Sequence, residues 1–223
     1  MINVVKVKNR DEGQVKAHDL LKKLMDEQTL LALSGGTSMD YWRMIVNPND
    51  IVPGALIVVD ERYGEPFHKE SNELLLKNFG VKDWADEHCI ESHKFLKGKD
   101  FLETAKVYEK EIEDLFSRFK KKVGVMGIGT NLHTAGIFPE SIAAHSPNHV
   151  EAEEVNNEFP KRITLTLKAL GEFTNFIIMM FGTEKRDTLR RILDVGENDM
   201  QKYPAIFYRK SPIKSYLITD IVI

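Results

Sequence analysis

The stretch Thr29-Leu-Leu-Ala-Leu-Ser-Gly-Gly-Thr-Ser38 contains the boundary that decides the fold. Its first half, residues 29–33, is an apolar run with the length of a buried strand. Ser34-Gly35-Gly36 breaks that run, and apolar spacing typical of a helix begins over residues 39–45. A buried strand that turns at glycines into a helix is half of a βαβ unit.

The same change of period recurs along the rest of the chain. Strand-like apolar runs lie at residues 2–7, 55–59, 123–128, 176–181 and 216–223, and helical spacing marks residues 12–26, 101–119 and 184–193. No linker or internal repeat divides the chain. We therefore predict one doubly wound, Rossmann-like α/β domain over residues 1–223, with a mostly parallel sheet and helices on both faces.

Two local expectations accompany this fold. In the first helix, the spacing directs Val15, Leu20, Leu21 and Leu24 toward the core. Residues 139–160 show little periodicity, and we expect them to form an exposed loop at the rim of the sheet rather than a lid.

The charge balance argues against two classes of function. The 223 residues include 31 Lys and Arg against 34 Asp and Glu, a formal charge of −3. Without a basic excess, nucleic-acid binding and membrane-surface binding lack their electrostatic footprint. The longest purely apolar run, residues 176–181, falls far short of the ~20 residues of a spanning helix.

Cysteine and histidine usage bears on compartment and metals. Cys89 is the one cysteine, so no internal disulfide can form, and no secretory signal is readable. Both features predict a reducing, cytoplasmic location. His145 and His149 have metal-ligand spacing, but Pro147 between them would disturb a shared helix. We expect neither a metal nor a cofactor.

The residues directly after each strand are the candidates for chemistry, because ligands of open α/β sheets bind beyond the strands' carboxyl ends. Ser34, Gly35, Gly36, Thr37 and Ser38 could cradle an anion through backbone N–H groups, hydroxyls and the N-terminus of the following helix. A plain strand-to-helix turn with a capping hydroxyl explains the same residues. Neither G-x-G-x-x-G nor a Walker loop is present, so the usual nucleotide markers are missing.

Three other loops carry charged or titratable side chains. The triplet Asp60-Glu61-Arg62 follows one strand, with a structural ion pair as its alternative explanation. His133 follows two glycines after another strand, where a general base would be well placed. Lys185, in the first turn of the last long helix, and Arg162 supply two cations that suit a phosphorylated small molecule.

Taken in order, these loops resemble the 6-phosphogluconolactonase and glucosamine-6-phosphate isomerase (deaminase) superfamily over most of the chain. The family's S-G-G-[ST]-[TS] loop is similar to residues 34–38, and its D-E-R with a later S-N to residues 60–62 and 71–72. Its G-x-G-x-D-G-H-x-A-S-L-F-P is similar to residues 127–139, R-I-T-L-T to 162–166 and G-x-E-K to 182–185. Each motif is weak alone, and their common order makes the resemblance specific.

The lactonase branch of this superfamily is the more similar one. Deaminases usually carry a Glu five residues after the loop histidine, where this chain has Phe138 followed by Pro139. The chain departs from the family at Asn131-Leu132, where the family has Asp-Gly. Asn131 can accept a hydrogen bond from His133 but brings no charge. If the family's glycine has positive φ, Leu132 costs about 1–2 kcal/mol there; otherwise the loop is rearranged or needs no glycine.

The resemblance implies a cytoplasmic, 6-phosphogluconolactonase-like hydrolase of the pentose phosphate pathway, a monomer or small homo-oligomer that acts on a phosphorylated sugar lactone without metal or nucleotide. On this interpretation His133 deprotonates water, Asn131 orients His133, Asp60 positions the sugar or the base, and Arg62 steadies the oxyanion. Residues 34–38, Arg162 and Lys185 hold the phosphate. Two alternatives stay open: an amino-sugar-phosphate isomerase or deaminase with Asp60 as base, and a non-catalytic phosphosugar-binding protein.

Overall fold

A seven-stranded, fully parallel sheet forms the centre of the computed structural model, which describes residues 2–223. Its strands lie in the order β1-β10-β9-β6-β2-β3-β5. The strands of the whole molecule are β1 Ile2–Lys6, β2 Thr29–Leu33, β3 Ala55–Val58, β4 Asp60–Arg62, β5 Glu91–His93, β6 Lys121–Gly127, β7 Val150–Glu154, β8 Lys161–Leu165, β9 Asn175–Met180 and β10 Lys214–Thr219. The predicted α/β fold with a mostly parallel sheet is confirmed.

Four of the α-helices in residues 2–223 begin at polar residues that cap them. Asn9, Ser71, Asp100 and Thr166 each accept a hydrogen bond from a backbone N–H in the first turn that follows. The α-helices are α1 Arg10–Leu24, α2 Asn72–Asn78, α3 Val81–Glu87, α4 Phe101–Arg118, α5 Leu167–Leu170, α6 Arg186–Leu193 and α7 Phe207–Lys210. No helix within residues 2–223 is long and apolar enough to cross a membrane.

The central strands are mostly apolar because both faces of the sheet are covered. Every residue of β2 is buried, and so are the last five residues of β9. Parallel strands covered on both faces read as continuous apolar runs, which is why the sequence marks them so clearly. Their carboxyl ends meet at one edge, where the loops after β2, β3, β6 and β9 come together.

A second, three-stranded antiparallel sheet, in the order β4-β8-β7, stands beside this edge. It corrects the expectation that residues 139–160 form an exposed loop. Residues 150–154 are strand β7, which pairs with β8, and Ile142–Ala144 is a 3-10 turn. The alternation of apolar and polar residues is hidden in this strand, because two of its glutamates are partly or fully buried and accept hydrogen bonds. Glu151 accepts from Ser146, and Glu153 accepts from Ser141.

Three further expectations are wrong in detail. Val15 is 62% exposed, whereas Leu21 is buried as predicted and α1 also buries Gly13, Gln14 and Ala17. The helix expected from residue 39 is a short π-helical turn, Trp42–Val46. The last strand ends at Thr219, where pairing with β1 and β9 runs out, rather than at residue 223.

Candidate active site

A cavity of about 430 Å³ opens at the carboxyl edge of the central strands. Ten of the eleven residues that the sequence singled out line it: Ser34, Gly35, Gly36, Thr37, Ser38, Asp60, Arg62, His133, Arg162 and Lys185. The eleventh, Asn131, lies outside the lining and contacts it through His133. The loops after β2, β3, β6 and β9 therefore place their candidate functional residues around one cavity.

The loop after β2 approaches the neighbouring loops too closely for larger side chains. A Cβ atom on Gly35 would lie 1.9 Å from Asn72 Oδ1, and Gly36 has a φ of 113°, which favours glycine. The Tyr41 hydroxyl donates to the Ser34 carbonyl at 2.6 Å. The expected helix N-terminus is not part of this loop, because the π-helical turn starts only at Trp42. Any anion would meet loop N–H groups and hydroxyls here.

Asp60 and Arg62 are placed by strand pairing. In the β4–β8 register Asp60 lies opposite Thr164, and Arg62 lies opposite Arg162. Burial raises the pKa of the Asp60 carboxyl, while the two guanidinium groups oppose that rise. Arg62 donates through Nη1 to the Glu70 carbonyl at 2.8 Å. The second sheet thus delivers one carboxyl and two guanidinium groups to the cavity.

Glu61, the middle residue of the triplet, points away from the cavity. Its fully buried carboxylate accepts the backbone N–H groups of Arg62 and Asn72 at 2.7 Å and of Glu73 at 2.9 Å. Two of these donors belong to the first turn of α2. Glu61 therefore fixes α2 against β4 through backbone N–H groups, a structural role that differs from the ion pair offered by the sequence as the alternative.

His133 is held by the residue two positions before it. Asn131 Oδ1 lies 2.6 Å from His133 Nδ1 and also accepts the His133 backbone N–H at 3.2 Å. An amide oxygen can only accept, so Nδ1 carries the proton and Nε2 keeps its lone pair. Within residues 2–223 Nε2 has no hydrogen-bond partner, and the ring borders the cavity.

The surroundings of His133 favour its neutral form. Burial lowers the pKa of the imidazole to about 4, with further lowering by the positive charges of Arg162, Lys185 and Arg62. Gly129 makes room for the ring, since a Cβ there would lie 2.1 Å from Cε1 and 2.2 Å from Nδ1. Near neutral pH His133 is thus an unprotonated base facing the cavity.

Leu132 has the left-handed backbone that the family's glycine would adopt freely. Its φ is 63°, and its side chain is buried in the hydrophobic core. Such a conformation costs a branched residue about 1–2 kcal/mol. The loop therefore has a backbone conformation that suits glycine, although residue 132 is a leucine.

Lys185 ends a 3-10 turn, Thr183–Lys185, immediately before α6, rather than lying inside the long helix. Burial lowers its pKa, opposed by the Glu184 carboxylate and assisted by the charge of Arg10. Arg10 is the first residue of α1 and was not predicted to be near the site. Its position follows from the sheet order, which pairs β1 with β10 and so places the start of α1 near the loop after β9.

Aromatic residues complete the wall of the cavity. Sequence reasoning named Phe138 without placing it at the site, and it did not name Phe159. The Phe138 ring stacks on His133, with centroids 4.6 Å apart and an interplanar angle of 18°. The Arg162 guanidinium lies 5.5 Å from the same ring centroid. Phe159, from the loop between β7 and β8, also lines the cavity. Its carbonyl accepts a hydrogen bond from Arg162 Nε at 3.0 Å. Asn72 also lines the cavity, and its sequence signal was the S-N motif.

One group of metal-type ligands lies outside this cavity. The possible ligand atoms of Glu109, Glu113 and His149 lie within 4.8 Å of one another. Sequence reasoning considered His149 but not the two glutamates, which lie on α4. Glu109 already accepts the backbone N–H of His149 at 2.9 Å, and His149 Nε2 lies 2.6 Å from Glu172. His145 is turned to Gln201 instead.

The sequence matches one family profile, "Glucosamine-6-phosphate isomerases/6-phosphogluconolactonase", over residues 14–215. A 6-phosphogluconolactonase of Nostoc sp. is 27% identical over 166 residues, which is 66% of this chain and 63% of the relative. One of Rhizobium meliloti is 26% identical over 197 residues, 83% of each chain.

Solved structures share the fold. A 6-phosphogluconolactonase from Shewanella baltica superposes with a TM-score of 0.78 at 19% identity, covering 98% of this chain and 97% of the other. A monomeric glucosamine-6-phosphate deaminase gives 0.76 at 17% identity, covering 97% of each. Both branches of the superfamily thus have this architecture.

Proposed function

Because this chain belongs to the glucosamine-6-phosphate isomerase/6-phosphogluconolactonase family, we propose that it hydrolyses 6-phosphogluconolactone, as an enzyme of the pentose phosphate pathway. The curated relatives at 26–27% identity are named for this activity. The observation that carries the proposal is the Asn131–His133 pair, which leaves an unprotonated imidazole nitrogen at the edge of a cavity bordered by cations.

His133 is the general base in this mechanism. Its Nε2 takes a proton from water as the water oxygen bonds to the lactone carbonyl carbon. The imidazolium then returns the proton to the ring oxygen as the carbon–oxygen bond of the lactone breaks. Asn131 holds the Nδ1–H throughout, so the ring keeps one orientation and one tautomer.

Arg62 and Asp60 act on the reacting end of the substrate. The Arg62 guanidinium borders the cavity and steadies the negative charge that develops on the carbonyl oxygen. Asp60, buried beside it, positions a sugar hydroxyl or the attacking water. Arg162 lies close enough to Asp60 to counter the rise of its pKa.

Residues 34–38, Arg162 and Lys185 hold the phosphate. Both side chains are partly withdrawn from water, which strengthens their attraction for a dianion. The loop adds N–H and hydroxyl donors at positions where two glycines permit close approach. Arg10, whose charge acts on Lys185, reinforces the positive potential.

Phe138 supports the lactonase over the deaminase. The ring that stacks on His133 belongs to the residue five positions after it, where deaminase sequences usually carry a Glu. The proposal is tested by assaying lactone hydrolysis and glucosamine-6-phosphate deamination on one purified sample. We expect lactonase turnover without deamination. Deamination alone would replace the proposal, and phosphosugar binding without turnover would favour a binding protein.

We also propose that the protein acts in the cytoplasm, as a monomer or small homo-oligomer, with residues 1–223 as one phosphosugar-binding domain. In support, one cluster of buried side chains spans the described chain, and Cys89 is a free thiol. Fractionation of cells and light scattering of the purified protein test these points. The proposed steps use only side chains of this chain, water and the substrate.

A further inference from the structure

The turn that carries His133 is held by the C-terminal part of the chain through two carbonyls. The Thr130 carbonyl accepts a hydrogen bond from Thr188 Oγ1 of α6 at 2.9 Å. The Leu132 carbonyl accepts the Ala205 backbone N–H at 3.0 Å, from the 3-10 turn Pro204–Ile206. These bonds fix the residues immediately before and after Asn131 in the chain.

A third bond fixes the exit of the turn. Thr134 Oγ1 donates to the Gly127 carbonyl at 3.2 Å and lies 2.6 Å from the Tyr208 hydroxyl, which then donates to it. Both Thr134 and Tyr208 are fully buried. Removal of the Tyr208 hydroxyl would leave this end of the turn with one bond fewer.

The anchors fall on alternate residues, and the residues between them do the chemistry. Positions 130, 132 and 134 bond to α6, the 3-10 turn and α7. Asn131 and His133, between these positions, bond to each other at 2.6 Å. The anchored residues therefore alternate along the chain with the Asn131–His133 pair.

The central anchor is where the chain departs from its family. Leu132 has a φ of 63° and a side chain that is 4% exposed within the hydrophobic core. A glycine would adopt this φ without strain, but it would bury nothing and would leave the conformation easily. Leu132 has a strained backbone but buries its side chain, and this burial fixes the middle of the turn to the core.

We propose that Leu132 is a positioning residue for His133, which holds the Asn131–His133 pair in register through its buried side chain and its carbonyl bond to Ala205. The inference rests on the proposed function, since it assigns Leu132 a part in lactone hydrolysis without contact to substrate. A loosened turn displaces the imidazole, and a misplacement of about 1 Å can cost on the order of 100-fold in rate.

The test compares Leu132→Gly with the conservative Leu132→Met. Cys89→Gly is the matched control, because Cys89 also has positive φ, 53°, but is exposed at the end of α3. Two readouts are needed: kcat and KM with 6-phosphogluconolactone, and the ring-nitrogen NMR shifts of His133, assigned by a His133→Gln sample. The NMR readout does not depend on activity.

We expect Leu132→Gly to lower kcat about 10- to 100-fold with KM changed less than threefold, and to replace the single Nδ1–H tautomer by a mixture. Leu132→Met restores both readouts, and Cys89→Gly alters neither. A Leu132→Gly protein with wild-type kcat and tautomer would overturn the inference.

If Leu132→Gly does not fold, Leu132→Ala decides, because it removes most of the buried side chain and keeps the carbonyl bond to Ala205; tautomer mixing is expected, and an unchanged tautomer overturns the inference. If wild type shows no lactonase activity, the proposed function fails, while the tautomer of His133 in the Leu132 variants still decides the positioning role.

Discussion

Asn131 gives His133 a hydrogen-bond acceptor without a negative charge. The 2.6 Å contact to Nδ1 fixes the tautomer, so orientation is retained where the family's aspartate is replaced. Stabilisation of the imidazolium is what the amide does not supply, and three nearby cations act against that ion as well. The pair is therefore oriented for catalysis but holds a base whose pKa, about 4, is low for work near neutral pH.

A carboxylate at position 131 should correct this mismatch. Asn131→Asp adds an opposite charge beside the imidazole, which favours its protonated form and raises the pKa of His133 by about 1–3 units. In the proposed mechanism neutral His133 is the active form, so the acid limb of kcat/KM, expected near pH 4 in wild type, moves to higher pH. We expect kcat at pH 7.5 to rise roughly tenfold, because the pKa of the base approaches the working pH.

Measurement of kcat and kcat/KM from pH 4 to pH 9 checks this, with Asn198→Asp as a control in an exposed loop. An unchanged profile would mean that another carboxyl, most simply Asp60, already serves His133.

Gly129 is required by the His133 ring rather than by its own backbone. Gly129→Ala places a Cβ about where the imidazole now lies, 2.1 Å from Cε1. The ring must move, and we expect kcat to fall about 100-fold while the protein stays folded. Gly196→Ala is the matched control, because its Cβ would meet only Asp194 Oδ1, at 3.2 Å. Steady-state kinetics with circular dichroism measure this; a loss below threefold would place the ring elsewhere.

The second sheet is the element that the sequence predicted least well. Its three strands are short, and β4 consists of charged residues because its side chains serve separate roles, two facing the cavity while Glu61 caps α2. Hydrophobic periodicity detects strands that bury one or both faces in apolar surroundings, which is why β2, β6 and β9 were found. A strand whose buried side chains are satisfied by hydrogen bonds gives no such signal.

Glu61 should matter for stability more than for binding. Glu61→Gln replaces one acceptor oxygen by an NH₂ group, so at least one buried backbone N–H loses its acceptor, that of Glu73 if the NH₂ group takes the place of Oε2. We expect the free energy of unfolding to fall by about 1–3 kcal/mol, measured by urea titration. Glu65→Gln, at an exposed position nearby, is the control. Equal stability of the two variants would contradict the capping role.

At the scale of the whole molecule, the sheet order brings distant motifs to one cavity. Alternating periods were enough to predict a parallel sheet, and a parallel sheet places all post-strand loops at one edge. That is why ten of the eleven predicted residues line the cavity. Arg10, Phe138 and Phe159 could not be found this way, because their position depends on strand order and loop geometry.

The proposed phosphate site gathers cations from distant parts of the chain, and among them Lys185 lies directly before α6. Lys185→Ala removes a charge-assisted contact worth about 1.5–3 kcal/mol, so KM for 6-phosphogluconolactone should rise about 10- to 100-fold. KM for the unphosphorylated gluconolactone should stay within twofold. Lys106→Ala, exposed on α4, serves as control. An equal effect on both lactones would remove Lys185 from the phosphate site.

The catalytic role of His133 is checked by the rate of 6-phosphogluconolactone hydrolysis by wild type and His133→Gln, each corrected for spontaneous opening of the lactone. General-base catalysis contributes about 10²- to 10⁴-fold. We predict clear turnover by wild type and a loss of that size in His133→Gln, with binding of inorganic phosphate preserved in both. Wild type without turnover, or a variant as fast as wild type, would contradict the claim that His133 in this cavity opens a phosphorylated lactone.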